Sequence, residues 1–292
     1  MFTHIRIVLL LLLLVLSIGA SAHTLFIKPD TFAVEPQAMM SINLVNGTFI
    51  KSESRLRKPM ARSVDIVGPG GTEHDLANDD WVSDGKVSVL SAQFSEPGNY
   101  VIGVSTRPRK VSLDPETFNR YLRYEGLFDQ KEEREGLEET GVGVVERYTK
   151  FAKAIVQVGD VQTSNFAMEI GHDVEILPLT NPYALQVGDD FQARVLRDGM
   201  PIEGIRVYAT HEGYYQQDEE GIFDEAVKTR SNKEGVIEFE ITHPGKWYVR
   251  FIDLQRESDS EYWYTNLLVA VGAAEKRIVY ESKWATLTFE IR

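Results

Sequence analysis

The sequence predicts a mainly β protein: two Ig-like β-sandwich domains, residues 23–111 and 165–292, separated by a helical insert and linker over 112–164. Three observations carry this expectation. Short runs rich in Val, Ile, Phe and Tyr alternate apolar with polar side chains, the period-two signature of strands buried on one face. Clusters of Gly, Pro, Asn and Asp separate these runs at the spacing of sandwich turns. Between the two β-rich regions, from Ser112 to Lys153, the pattern becomes helical and charged.

The chain opens on Arg6, an apolar run from Ile7 to Ile18 interrupted by Ser17, and the small residues Ala20-Ser21-Ala22. An apolar run of about 12 residues followed by an Ala-x-Ala site reads as a secretion signal, too short for a membrane span of about 20. Cleavage after Ala22 makes His23 the first residue of an exported, periplasmic protein. No later run approaches a membrane span, so none is expected.

In the first β region the expected strands are Met40–Gly47, Ser63–Gly68, Val87–Phe94 and Asn99–Ser105, with turns at Gly68-Pro-Gly-Gly71 and Glu96-Pro-Gly-Asn99. Asp114-Pro115 caps a helix that presents Phe118, Tyr121, Leu122 and Glu125 at helical spacing and ends at Gly126. The charged run Asp129–Glu139 reads as a solvated helix or loop, and Glu146–Lys153 returns to a helix pattern. Ala154–Gly159 resumes β structure. Asp198-Gly199 predicts a hairpin joining Phe191–Leu196 to Ile205–Ala209. Val236–Ile241, Trp247–Ile252, Tyr264–Ala270 and Ala285–Ile291 complete the second sandwich.

With 44 acidic against 31 basic residues the formal charge is −13, which disfavours nucleic acid and anionic membrane surfaces as partners. There is no cysteine, so thiolate nucleophiles, disulfides and Cys-type metal centres are excluded. No Gly-x-Ser-x-Gly elbow, His-Glu-x-x-His pair or phosphate-cradling loop occurs, and the expected role is not enzymatic.

What remains distinctive is the expected N-terminal histidine. A free α-amine and imidazole Nδ1 on one residue close a chelate ring, and at neutral pH a metal displaces the remaining proton at little cost. Ni²⁺, Co²⁺, Cu²⁺ and Zn²⁺ favour that nitrogen pair. His211-Glu212, where a strand gives way to a loop, is a further candidate ligand. Met39 and Met40 point to opposite faces of one strand and cannot easily share an ion. His243 reads as a turn residue. Tyr214-Tyr215 and Tyr262-Trp263-Tyr264 offer an aromatic surface for a protein or glycan, the alternative reading as a cell-envelope interaction module. Oxidative copper chemistry at His23 would need a second imidazole opposite it.

Several segments resemble a family of exported bacterial proteins known as periplasmic components of cobalt/nickel uptake, the nickel uptake transporter family. They are Ala22-His23-Thr-Leu-Phe-Ile-Lys-Pro29, Tyr148–Gly159, Gly171-His172-Asp-Val-Glu-Ile-Leu-Pro178 through Pro182, Asp198–Gly204, Asn232–Gly235 and Pro244-Gly-Lys-Trp247. The turns Gly199-Met-Pro-Ile-Glu-Gly204 and Pro244–Trp247 also resemble carrier modules with a transthyretin-like sandwich. The resemblance implies binding of nickel or cobalt in support of a membrane metal transporter. It puts family histidines at His23 and His172. Members often carry another histidine late in the strand after Pro-Gly-x-Trp, where this sequence reads Arg250-Phe-Ile-Asp253, so Asp253 is the carboxylate available there.

Overall fold

Strands dominate the computed structural model, which describes residues 23–75, 81–217, 223–257 and 277–292. The signal expected over 1–22, the aromatic run Tyr262–Tyr264 and the strand expected over 264–270 lie outside the described residues.

The N-terminal strands are β1 (Thr24–Pro29), β2 (Ala33–Val34), β3 (Met39–Gly47), β4 (Ala61–Gly68), β5 (Gly71–Asp75), β6 (Val82–Asp84), β7 (Val87–Gln93), β8 (Gly98–Thr106) and β9 (Arg109–Leu113). Helices α1 (Pro115–Tyr124) and α2 (Phe128–Gly136) follow, then the long strand β10 (Gly143–Val158). Next come β11 (Val174–Pro178), β12 (Asp190–Arg197), β13 (Met200–Pro201), β14 (Arg206–His211), β15 (Gln216–Gln217) and β16 (Phe223–Asp224). The chain closes with β17 (Val227–Arg230), β18 (Val236–Glu240), β19 (Gly245–Arg256) and β20 (Arg277–Ile291).

A single ten-stranded sheet runs through the middle of the molecule. Its main path is β17-β14-β19-β20-β10-β8-β4-β5, with β2 and β9 also pairing with β10. At its centre β10 and β20 run parallel, Gly143 opposite Arg277 and Ala154 opposite Thr288. One face is covered by the sheet β1-β3-β7-β6, and the opposite face by β11-β12-β13 with β18. Strand alternation divides the cores accordingly. Ala152, Ala154, Val156 and Val158 of β10 pack with Leu25, Ile42 and Leu90 on one side. Phe151 and Ile155 pack with Ile176, Phe191 and Trp247 on the other. The mainly β sandwich expectation holds, with the central sheet common to both sandwich layers.

Burial on both faces explains the main correction. Glu146–Lys153, expected to be helical, is strand, and every residue from Thr149 to Val158 is buried. A strand covered on both faces loses the alternation that identifies half-buried strands, and because Glu146, Thr149, Lys150 and Lys153 are buried here, no continuous apolar run marks this segment either. Two lysines inside it, Lys150 and Lys153, mimicked helical spacing. The second correction concerns Asp198-Gly199. Both residues have positive φ, 50° and 74°, as a type I′ hairpin requires. The turn returns β12 only into β13, while Arg206–His211 crosses to the central sheet beside β19. Third, the charged run Asp129–Glu139 is not wholly solvated: Arg134 of α2 is buried, donates to Asn119 Oδ1 at 2.8 Å and lies over Phe118.

The first helix matches the expectation. Asp114 Oδ1 accepts from the Thr117 amide at 2.9 Å, and Pro115 follows at N1. At its far end Gly126 adopts φ 72°, donating to Arg123 O, while Leu127 donates to Leu122 O. These two bonds form a Schellman turn. Its consequence is local but important: it fixes Glu125 at the helix end facing the central sheet. Gly126 admits no side chain, because a Cβ there would lie 2.1 Å from Tyr208 Oη. Phe118, Tyr121 and Leu122 bury against Trp284, Tyr280 and Ile252, so α1 roofs the extension of β10, β19 and β20 beyond the covering sheets. Each such fully buried side chain is worth roughly 1.5–3 kcal/mol.

Candidate functional site

Where α1, the β3–β4 connection and the β14–β16 stretch meet above the central sheet, they enclose a cleft of about 670 Å³. His23 stands in its wall. The histidine Nδ1 lies 3.0 Å from Glu53 Oε2. Glu53 is delivered by a tight reversal after β3: its amide donates to Asn46 O at 3.0 Å. That reversal depends on Gly47, because a Cβ there would come within 2.4 Å of Lys51 O and 2.8 Å of Glu53 N.

Beneath His23 lies Lys150 of β10. Its ammonium donates to the His23 carbonyl and, at 2.8 Å, to Asn46 Oδ1. Burial pulls the Lys150 amine down to about 7, against the opposing pull of Glu125 and Glu146. Burial also lowers His23, while Glu53 acts to raise it. At neutral pH the imidazole is therefore biased towards the neutral form that a metal binds.

The cleft floor is a closed ion network. Arg250 of β19 donates through Nε and Nη2 to Glu225 Oε1, at 2.8 and 2.5 Å, and through Nη1 to Glu125 Oε2 at 3.0 Å. Burial pushes the Glu125 carboxyl up to about 7 even though Arg250 pulls it down. Arg250 is held above its ordinary value by the two glutamates, which outweigh the opposing effect of its burial. Deeper still, Glu146 accepts from Tyr121 Oη at 3.1 Å and Ser282 Oγ at 2.5 Å, and burial raises it too. Aromatic rings form the walls. Phe26, Phe49 and Tyr248 pack with centroids 4.9–5.3 Å apart, and Tyr124, Tyr214 and Tyr215 stand around the opening.

The four residues singled out in the sequence do not converge. His211 lines the same cleft as His23, but its ring stacks on His243 with centroids 4.1 Å apart and packs against Trp247. His172 lies on the other face of the central sheet. It packs on Phe151, the neighbour of Lys150 on β10, and successive strand residues face opposite ways. Burial pulls His172 down to about 4, and both ring nitrogens lack a hydrogen-bond partner among the described residues. It is a neutral core histidine. Asp253 also faces away from the cleft, in a bidentate pair with Arg197 at 2.5 Å. Of the stretch Arg250–Asp253, it is Arg250 that enters the site. Among the described residues no three His, Cys, Asp or Glu side chains group as metal ligands.

Glu53, Glu125, Lys150, Glu225 and Arg250 were not legible as site residues in the sequence. The available signal was charge inside apolar strand runs: Lys150 in Tyr148–Val158 and Arg250 in Trp247–Ile252. Lysine and arginine are rarely buried unless paired, so such positions mark a specific partner.

A family model described as a domain of unknown function, DUF4198, matches residues 20–252. The chain belongs to the DUF4198 family. The DUF4198 match begins just ahead of His23 and reaches Ile252 of β19, so it takes in every residue that lines the cleft. No curated protein sequence matches the chain. Solved structures similar to it include trypsin-activated alpha-2-macroglobulin from Escherichia coli, at 11% identity over 94% of this chain and 16% of that chain, with TM-score 0.25. Another is the D0-D1 domain of intimin, at 10% identity over 89% of this chain and 96% of that one, with TM-score 0.21. A DUF4785 family protein from Legionella pneumophila has 8% identity, 76% and 50% coverage, and TM-score 0.23. The chain spans about a sixth of the macroglobulin and half of the Legionella protein. At those scores the likenesses carry no functional inference.

Proposed function

We propose that the protein is exported to the periplasm, cleaved after Ala22, and binds a divalent transition metal, nickel or cobalt, for delivery to a membrane uptake system. It acts as a carrier and not as an enzyme. The metal is its cargo.

One observation carries the reading: His23 Nδ1 and Glu53 Oε2 stand 3.0 Å apart at the cleft wall. Ligand atoms about 2.1 Å from one ion in adjacent positions are separated by about 3 Å, so an ion replacing the shared proton meets both. The freed α-amine of His23 supplies a third donor through its chelate ring. Copper and zinc fit the same donor set, and affinity alone favours Cu²⁺, so nickel or cobalt selectivity rests on supply and on the remaining coordination positions. No helix among the described residues is long and apolar enough to cross a membrane.

Glu53→Gln tests the donor assignment. Its side chain is 42% exposed, so the variant folds normally. Calorimetric titration of Ni²⁺ into the processed protein is expected to show affinity at least tenfold weaker, about 1.4 kcal/mol, in the variant. Equal affinity would remove Glu53 from the site.

A further inference from the structure

A single ion occupies a small fraction of a 670 Å³ cleft, a volume in the range of small-molecule sites. We propose that the interior of this cleft binds an uncharged organic ligand built on an aromatic ring with a hydroxyl group, of the phenol or naphthol type. The proposal goes beyond metal capture at the wall and does not depend on it.

The walls select a ring. Phe26, Phe49 and Tyr248 form a packed aromatic face, and Tyr124 and Tyr215 are 41% and 61% exposed at the opening. Offset and edge-on ring contacts add about 0.5–1.5 kcal/mol beyond the area they bury. Exposed aromatic side chains at the mouth of a cavity give an entering ring a surface to stack on.

The charges select neutrality. Five carboxylates line the cleft, and each already has a partner. Glu125 and Glu225 hold Arg250, and Glu53 holds His23. Glu212 holds Lys28 at 2.6 Å, and Asp224 holds Lys228. Lys51 and Arg120 also line the cleft but are exposed, so an anion entering it faces five carboxylates, and a cation has to draw one of them from its partner; where that partner is the buried Arg250 this leaves an uncompensated charge. A neutral ring leaves the network intact.

Thr210 selects the hydroxyl. It pairs directly with Tyr248 across β14 and β19, so its side chain shares the cleft face. The residue is 6% exposed, and its Oγ1 has no hydrogen-bond partner among the described residues. A buried hydroxyl left without a partner is costly, and a ligand hydroxyl supplies both a donor and an acceptor.

The test uses three probes with the same ring system: 2-naphthol, 2-naphthoate and 2-naphthylmethylammonium, each titrated fluorimetrically in EDTA so that metal binding plays no part. The expected result is one-to-one binding of 2-naphthol at least tenfold tighter than either ion. Tyr124→Ala with Tyr215→Ala, both at exposed positions, should weaken it several-fold while leaving Ni²⁺ affinity unchanged. Absence of 2-naphthol binding up to its solubility, equal or tighter binding of either ion, or indifference to the tyrosine changes would each overturn the proposal. Preferential binding of a neutral sugar, glucose, over 2-naphthol would overturn it as well. None of these outcomes bears on the metal reading, which has its own titration.

Discussion

Lys153→Met is expected to cost the fold about 3–5 kcal/mol at pH 7, a large share of the roughly 5–15 kcal/mol that holds a domain together. Lys153 of β10 and Glu175 of β11 meet at 2.8 Å with side chains only 1% and 3% exposed. The ammonium also donates to Met168 O at 3.0 Å, and the Glu175 carboxylate accepts from the Ile170 and His172 amides. This pair pins the third sheet to the central one. Removing the lysine alone leaves a carboxylate buried without its countercharge. The double variant Lys153→Met with Glu175→Gln keeps the amide contacts and removes the charge, so it should recover most of the loss. Urea unfolding of the three proteins measures this. A loss under about 1 kcal/mol for the single variant would mean that the pair does not hold the sheets together.

How much of this was legible depended on how many faces of each strand are buried. β3, β7 and β12 each carry one exposed edge of alternation, and the sequence pattern found them. The Asp114 cap and the Gly126 stop were equally local, and both stand as read. β10 failed because two sheets cover it. The continuity of the central sheet was invisible for a different reason: β10 and β20 pair in parallel across more than a hundred residues, and no local pattern records a partner so distant.

The site divides in the same way. His23 was found because cleavage chemistry and residue type point to it without any knowledge of the fold. Glu53, Glu125, Lys150, Glu225 and Arg250 come from five separate stretches, and only the fold assembles them. His172 and Asp253 were plausible as types, but alternation along β19 turns Asp253 to the opposite face, and His172, in the loop before β11, lies on that face as well. There His172 packs on Phe151 with both ring nitrogens unpartnered among the described residues, and Asp253 pairs with Arg197.

Arg250→Met should produce a comparable loss, and one that depends on pH. Among the described residues the guanidinium is the one countercharge that pairs with both Glu125 and Glu225. Glu125 already titrates at about 7, above its ordinary carboxyl range, because burial disfavours its charge. A raised carboxyl pKa contributes stability below the unfolded value, and that contribution is lost as pH rises through the folded value. Deleting the arginine raises Glu125 further. At pH 5.5 the carboxyl is neutral with or without Arg250, whereas at pH 8.5 its ionisation opposes folding more strongly in the variant. The loss should reach about 3–5 kcal/mol at pH 8.5 and be smaller by at least about 1.4 kcal/mol, one pKa unit, at pH 5.5. Equal losses at both pH values would show that Glu125 is not held up by burial against Arg250.

A single comparison tests most directly whether His23 chelates as the first residue beside Glu53. Ni²⁺ and Co²⁺ are titrated calorimetrically into protein exported and processed in a bacterium, and into the same protein carrying one extra glycine ahead of His23. One-to-one binding to the processed protein is expected, with affinity at least a hundredfold weaker, about 2.7 kcal/mol, when the glycine occupies the α-amine. Equal affinity in the two proteins, or no binding to either, would contradict it.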